Sequence, residues 1–115
     1  MSGLAFLPGR ATQSARLVSV AAIIAEVGYQ MGLRRADIIG PVRTAPLTRA
    51  RFAVAWLARE VTPASWHIIA HALGGRHHST ISSARRRGDA LRQTDPAFRR
   101  LTDRLREHFR DLQED

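Results

Sequence analysis

A short segment of basic and hydroxyl side chains, residues 76–80 with the sequence Arg-His-His-Ser-Thr, is the part of the chain best suited to contact a nucleic acid. It directly follows a glycine pair at residues 74–75, and glycine permits the positive φ angles of a sharp turn. Short polar side chains at the start of a helix can approach base edges in the major groove. The arginines that flank them, as predicted phosphate contacts, are Arg76, Arg85, Arg86 and Arg87. The pattern therefore predicts a helix-turn-helix that binds double-stranded DNA.

Two other kinds of chemistry fit the histidines and serines less well. His67 and His71 stand four residues apart, a spacing at which two imidazoles on one helix face bind zinc or nickel, but no acidic residue lies between Glu60 and Asp89 to complete such a site. Ser79 lacks the Gly-x-Ser-x-Gly turn and the acidic partner of a hydrolase. We therefore predict no metal site, no cofactor and no enzymatic activity. The alternative to a DNA-binding helix-turn-helix is an ordinary helical hairpin whose basic face is exposed to solvent.

The charge of the chain is strongly positive and unevenly distributed. Its 18 basic residues are all arginines, set against 10 acidic residues, for a formal net charge of +8. Residues 43–87 contain eight arginines and one acid, Glu60, whereas the two signs nearly balance from Asp89 onward. Arginine presents a planar fork that matches phosphates and guanine edges. The distribution predicts one basic face suited to a polyanion.

These side chains need a framework, and the apolar spacing along the chain predicts an all-α domain. Apolar residues recur at helical intervals, and no segment alternates convincingly as a strand does. We predict a poorly ordered segment over residues 1–12 and one helix-turn-helix domain over residues 13–115. The predicted helices cover residues 13–31, 35–39, 48–61, 66–73, 77–87 and 96–112.

Several residues mark where the predicted helices begin and end. Thr48 and Ser65 are predicted N-caps, because their side-chain oxygens can accept the free N–H groups of a first helical turn. Asp95 is predicted to cap the last helix, with Pro96 at its first position. Gly88 is predicted to end the helix that follows the glycine turn.

The aromatic residues divide between core and surface positions. Trp56 falls on the apolar face of its helix and is predicted to be a core residue. Trp66, at the mouth of the turn, is equally suited to core packing and to stacking on a base.

The charged side of the last helix is either solvated or a surface for a partner. The apolar stripe of that helix consists of Phe98, Leu101, Leu105, Phe109 and Leu112.

Signals for a membrane or an oxidising compartment are weak. The longest apolar run, residues 17–25, is far short of the roughly 20 residues that cross a bilayer. The sequence contains no cysteine, so disulfides and thiolate chemistry are excluded. We predict a cytoplasmic, nucleoid-associated protein with no membrane partner.

Residues 36–87 resemble the C-terminal DNA-binding domain of the bacterial replication initiator DnaA. The family hallmark is Gly-Gly-Arg-Asp-His-Thr-Thr-Val followed by a basic helix, and residues 74–81 read Gly-Gly-Arg-His-His-Ser-Thr-Ile. Matching segments also include Ala-Asp-Ile-Ile at 36–39, Ala-Trp-Leu-Ala-Arg-Glu-Val-Thr at 55–62 and Ala-Arg-Arg at 84–86. The alignment needs no gap over residues 36–87. The resemblance implies a compact, Trp-repressor-like helical bundle around the helix-turn-helix.

The resemblance also implies roles for individual residues. Arg43 matches a loop arginine that enters the minor groove, where arginine reads groove width and A·T content. The residues that match contacts to base edges are His77, His78, Ser79 and Thr80. The residues that match contacts to phosphates are Arg51, Arg59, Arg86 and Arg87. Trp66 and His67 match the pair that sets the turn region against the DNA backbone.

The sequence departs from the family pattern at some of these positions. His77 stands where the family usually has aspartate, and Ser79 where it has threonine. His67 replaces a proline and Phe52 a glutamine. An aspartate accepts a hydrogen bond from a cytosine amino group, whereas histidine presents a different pattern. We therefore predict DNA binding with altered recognition of the initiator's usual site.

A further departure concerns nucleotide binding. The chain contains no lysine, and therefore no Gly-x-x-x-x-Gly-Lys-Ser/Thr loop for the phosphates of ATP. The sequence predicts a free-standing DNA-binding domain, without an ATPase, that regulates replication initiation or transcription. The alternative is a protein-interaction module that acts on the replication initiator or its regulators without specific DNA readout.

Overall fold

The computed structural model describes residues 17–114, in which the chain folds into six α-helices. They are α1 (Val20–Met31), α2 (Arg35–Ile39), α3 (Ala45–Val61), α4 (Trp66–Ala72), α5 (His78–Thr94) and α6 (Pro96–Gln113). This part of the chain contains no strand, which confirms the predicted all-α fold. The poorly ordered segment predicted over residues 1–12 lies outside the described residues.

Helix α3 lies at the centre of the core. It packs against α1, α5 and α6, and its middle turns are buried on nearly every side. Small residues there, such as Ala50 and Ala53, let the neighbouring helices approach closely. Trp56 is 3% exposed, which confirms its predicted place in the core.

Two helices begin at residues that differ from the predicted ones. Helix α3 begins at Ala45, so the prediction that Thr48 caps it is wrong. Pro46 lies in the first turn, where a helix can accept a residue without an N–H, and the apparent loop is therefore helical. Helix α1 was predicted from residue 13, but in the described part it begins at Val20, because Ser19 accepts a first-turn N–H at 3.0 Å.

Helix α5 does not end at Gly88, contrary to the prediction from glycine's low helix propensity. It continues to Thr94, and Gly88 is buried against α3. A Cβ at this position would lie 3.0 Å from the carbonyl oxygen of Phe52 and 3.2 Å from the Cβ of Trp56. The glycine therefore allows close packing of two helices and does not mark a boundary.

Polar contacts fix the C-terminal half of α5 in the same core. The indole N–H of Trp56 donates to Asp89 at 2.7 Å, and the guanidinium of Arg92 lies 4.1 Å from the centre of the Trp56 ring. Arg92 also donates to the hydroxyl of Thr102 at 2.6 Å and forms an ion pair with Asp103 at 2.8 Å. The bond from Arg92 holds the pKa of Asp103 below its usual range. Helix α5 is thus tied to both α3 and α6.

Helix α6 begins as predicted. Asp95 accepts the backbone N–H groups of Ala97 and Phe98 at 3.0 and 3.1 Å, and Pro96 occupies the first turn. The predicted stripe is buried at Phe98, Leu105 and Phe109, partly buried at Leu101, and half exposed at Leu112. Over residues 17–114, no helix combines the length and the apolar content needed to cross a bilayer.

Candidate nucleic-acid interface

The turn between α4 and α5 depends on two glycines in the left-handed conformation. Gly74 has φ of 89° and Gly75 has φ of 79°, as the sequence predicts. A Cβ at Gly74 would overlap the carbonyl oxygen of Ile39, so the turn lies directly against the end of α2. The backbone N–H of Arg76 closes the turn by donating to the carbonyl of Ala70 at 3.1 Å. Ser65 caps α4, as predicted, and accepts an N–H at 3.2 Å.

Arg76 fastens this turn to α2. Its guanidinium donates to the carbonyl oxygens of Gly40 at 2.6 Å and Ile39 at 3.3 Å, and also to that of Leu73. The side chain is only partly exposed. Arg76 therefore positions the start of α5, in addition to the predicted contact with a phosphate.

Arg51 is turned inward, although it was predicted to contact a phosphate. Its side chain is 8% exposed and donates to carbonyl groups at the C-terminal end of α2. Two of these acceptors are Ile38 at 2.7 Å and Asp37 at 2.9 Å. Arg51 therefore joins α3 to α2 through Nε and Nη2, and its contact with a phosphate stays a prediction.

Arg43 adds a third positive charge to this region from the exposed loop between α2 and α3. Burial, and then the charge of Arg43, lowers the pKa of Arg76. Burial, then the charges of Arg76 and Arg43, lowers the pKa of Arg51. Arg51 and Arg76 nevertheless remain cations at neutral pH, because arginine keeps its proton. None of the three arginines has a carboxylate ion-pair partner within residues 17–114.

An open groove connects the Arg43 loop with the exposed side of α5. It brings together six of the predicted contact residues, namely Arg43, Arg51, Arg76, Ser79, Thr80 and Arg87. Among residues 17–114, no acidic side chain lines it. The groove therefore combines hydroxyl groups with a positive potential that no nearby carboxylate cancels.

Two hydroxyl residues of the groove, Thr48 and Ser83, are not among the predicted contacts. Ser83 follows Thr80 by three residues and Ser79 by four, so the helical period alone places it on their face. Thr48 is predicted as a helix cap, and it lies in the first turn of α3 because that helix begins at Ala45. Phe52, which replaces the glutamine of the family pattern, also lines the groove.

Three histidines meet at the start of α5. The ring centre of His78 lies 4.4 Å from that of His77 and 4.6 Å from that of His67. His77 occupies the N-cap position of α5 and, like His67, is exposed, whereas His78 is partly buried. Partial burial, and then the neighbouring rings of His77 and His67, lowers the pKa of His78.

Arg59 and Trp66 form a separate pair. The guanidinium of Arg59 lies 4.4 Å from the centre of the Trp66 ring and donates to the carbonyl of Ala64 at 2.9 Å. Trp66 is partly buried, so its ring supports an arginine while part of its surface stays open. Neither residue lines the groove.

The arginines near the end of the predicted recognition segment differ in their partners. Arg86 and Arg87 are exposed, and Arg86 donates to the hydroxyl of Ser82 at 3.2 Å. Arg85, by contrast, forms an ion pair with Asp89 at 3.2 Å. Arg86 and Arg87 are thus the residues available for phosphates on this turn.

The histidines do not form a metal centre with other ligands in the described part of the chain. No three side chains of histidine, aspartate or glutamate come together there in a metal-binding arrangement. His71 is exposed on α4, one turn beyond His67.

The comparisons with known proteins concern the region that contains this groove. Residues 20–87 match the sequence pattern of a family described as the bacterial dnaA protein helix-turn-helix. The chain is 39% identical over 84 residues to the chromosomal replication initiator protein DnaA of Acinetobacter baylyi, which is 73% of this chain and 18% of that protein. It is 35% identical over 82 residues to the DnaA of Cereibacter sphaeroides, covering 71% of this chain and 18% of the relative.

A shorter match gives the same picture. The DnaA of Caulobacter vibrioides is 39% identical over 67 residues, 58% of this chain and 14% of that protein. The chain therefore spans less than a fifth of the length of these curated relatives.

Proposed function

Because this chain belongs to the family of bacterial DnaA helix-turn-helix domains, we propose that it binds double-stranded DNA with a preference for sequence. In this proposal α5 lies in the major groove and the loop that carries Arg43 reaches the neighbouring minor groove. The α4–turn–α5 unit supports such docking, since the glycine turn joins the two helices by a short connection.

The observation that carries the proposal is the groove beside α5, whose arginines form no ion pair with a carboxylate of residues 17–114 and lie next to hydroxyl groups. Arg43 and Arg87 line it together with Ser79 and Thr80. Cations that lack carboxylate partners repel one another, and a polyanion relieves that repulsion. DNA phosphates satisfy the arginines, while base edges meet the short side chains between them.

The remaining contact residues divide by chemistry. Arg86 and Arg87 are exposed and suited to phosphates, as is the outer edge of Arg59 beside Trp66. Thr80 is exposed and offers both a methyl group and a hydroxyl, which suit the methyl group of thymine and a base-edge acceptor.

The names of the relatives, which are chromosomal replication initiators, support a proposal for the biological setting. We propose that the chain acts at sites of the kind that such initiators bind, within the nucleoid, and regulates replication initiation or transcription. The replacement of a carboxylate by the imidazole of His77 favours a set of sites that differs from theirs at one or more base pairs.

Duplex binding measured across salt concentrations tests the proposal. If five or six phosphates are neutralised, log K falls with log salt at a slope of about −5. We expect tighter binding to duplexes that carry initiator-type sites than to random duplexes. The double variant Arg43→Ala/Arg87→Ala should weaken binding and flatten the slope by about 2.

A matched control has the same net charge. Arg100 and Arg104 are exposed on α6 and do not line the groove. The double variant Arg100→Ala/Arg104→Ala should keep the wild-type slope. A flat salt response, absence of binding at micromolar protein, or equal effects of the two double variants would contradict DNA binding through the groove.

An exposed apolar residue supports the second candidate function. Ile68 is an apolar residue of α4, but its side chain is 58% exposed and follows the partly exposed Trp66 by two residues. Such a surface suits contact with a protein, namely the replication initiator or one of its regulators. If duplex binding fails, co-sedimentation with the initiator, weakened by Ile68→Asp, is the outcome this alternative predicts.

A further inference from the structure

The neutral imidazole of His77 is held in one tautomer by its neighbour Ser79. The Nδ1 atom of His77 accepts the backbone N–H of Ser79 at 3.2 Å, and the hydroxyl oxygen of Ser79 lies 2.7 Å from the same atom. A backbone N–H can only donate, so Nδ1 must carry a lone pair and no proton. The single proton of the neutral ring therefore resides on Nε2.

This arrangement fixes what the residue can offer to a ligand. Nδ1 is occupied within the protein, and Nε2–H is the polar atom of the ring that remains. Because His77 is exposed at the N-cap position of α5, that donor is accessible where the proposed recognition helix begins. The side chain thus presents a hydrogen-bond donor and no acceptor.

Contacts between rings further restrict its orientation. The rings of His77 and His78 are 4.4 Å apart with an interplanar angle of 30°, and His78 in turn lies against His67. His67 is on α4 and His78 on α5, so the ring contacts of His77 connect its Nε2–H donor to both helices of the motif. A side chain held on one face by a ring and on one edge by Ser79 is preorganised for a directional contact.

We propose that His77 is a specificity-determining residue that donates through Nε2–H to an acceptor on a base edge, with guanine preferred. Guanine presents two acceptors, N7 and O6, in the major groove, whereas cytosine presents an amino donor that His77 would leave unpaired. This inference rests on the proposed function, because it requires that α5 approaches base pairs. A phosphate oxygen is an acceptor of the same chemistry, but contact with it gives no preference among bases.

The first arm of the test needs no DNA. Nitrogen chemical shifts and N–H couplings of the histidine rings, measured at about pH 8 where an ordinary histidine is neutral, report which nitrogen carries the proton. We expect the proton of His77 on Nε2. A proton on Nδ1 would overturn the inference.

The second arm compares two variants that differ in one atom. Aspartate and asparagine are both favourable N-caps, so His77→Asp and His77→Asn should preserve the start of α5. Aspartate leaves only an acceptor, whereas asparagine can accept from the Ser79 N–H through its oxygen and still donate through its amino group. The comparison therefore changes hydrogen-bond polarity while the cap and the side-chain length stay constant.

The readout is the order of the four bases at each position of the preferred duplex, obtained by binding to a full set of single-base substitutions. At one position we expect wild type and His77→Asn to prefer guanine. The difference in affinity between guanine and the other bases should be smaller for the asparagine variant. His77→Asp should prefer cytosine there by about fivefold or more. The test depends on the order of the four bases and not on the overall affinity, because the added negative charge of aspartate weakens binding to every duplex.

Other results bear on the inference in separate ways. If wild type and His77→Asp rank the bases alike at every position, or if His77→Asn shares the order of His77→Asp, the inference fails while the proposed function stands. If wild type binds no duplex, the proposed function fails and the inference with it.

Discussion

The guanidinium groups of Arg51 and Arg76 donate to the same acceptor, the carbonyl oxygen of Gly40, at 2.9 and 2.6 Å. Arg51 belongs to the central helix α3, and Arg76 to the turn of the helix-turn-helix. The last carbonyls of a short helix have no partners within it, and here two arginines satisfy them from two directions. The fold thus uses part of its positive charge to join α2, α3 and the turn.

Removal of one of these donors should be costly for stability. We expect Arg51→Met to lower the free energy of unfolding by about 3 kcal/mol, because buried carbonyl groups lose charged donors. Urea denaturation followed by circular dichroism measures the change. Arg35→Met, at an exposed position of α2, should stay within about 0.5 kcal/mol of wild type. An Arg51→Met loss below about 1 kcal/mol would contradict a structural role.

Gly88 should tolerate no larger side chain. We expect Gly88→Val to lower the free energy of unfolding by about 2 kcal/mol, since its side chain would enter the space held by Phe52 and Trp56. Thermal or urea unfolding provides the measurement. Ala90→Val, at an exposed position of the same helix, controls for the weak helix propensity of valine and should cost about 0.5 kcal/mol. Equal effects of the two variants would mean that Gly88 is not packed as described.

Substitutions of Arg43 should separate the contribution of its charge to DNA binding from its recognition of the shape of the minor groove. Arg43→Lys keeps the positive charge, so the salt slope of duplex binding should stay the same, while the preference for A·T pairs beside the site decreases. Arg43→Ala should lose that preference and also flatten the slope by about 1. Binding titrations on duplexes with A·T or G·C flanks distinguish the two effects. If Arg43→Lys retains the full flank preference, Arg43 contacts phosphates alone.

The lowered pKa of His78 predicts how stability depends on pH. The unfolded chain binds a proton at this residue more readily than the folded protein, so the free energy of unfolding rises with pH between the folded and unfolded pKa values. The contribution of His78 is complete above the unfolded value of about 6.5 and declines as the pH falls below it. Urea midpoints across this range should decline less for His78→Gln than for wild type. A steeper decline in the variant would show the opposite sign of the shift.

Local signals in the sequence predicted the motif well. The positive φ of Gly74 and Gly75, the cap at Ser65 and the start of α6 at Asp95 each depend on one residue's backbone preference or side-chain oxygen. Such preferences act within a few residues and are therefore visible in sequence. The family match then identifies the unit that these signals define.

Two features that the sequence did not predict depend on contacts between residues far apart in the chain. Helix propensity predicts an end at Gly88, but its position is decided by Phe52 and Trp56, more than thirty residues earlier in the chain. The inward position of Arg51 depends on acceptors of α2 that only the folded chain brings within reach. Propensity and charge describe a residue alone, whereas burial depends on its partners.

The two halves of α5 face different constraints on sequence change. The half beyond Gly88 is fixed by contacts with Trp56 and α6, whereas in the first half only Ile81 and Ala84 enter the core and Ser79 and Thr80 are exposed. Substitutions at the exposed end therefore carry a small folding penalty. For the proposed function, this makes the domain evolvable: the proposed set of target sites can diverge from one copy to the next by a few mutations, with no compensating change elsewhere in the fold.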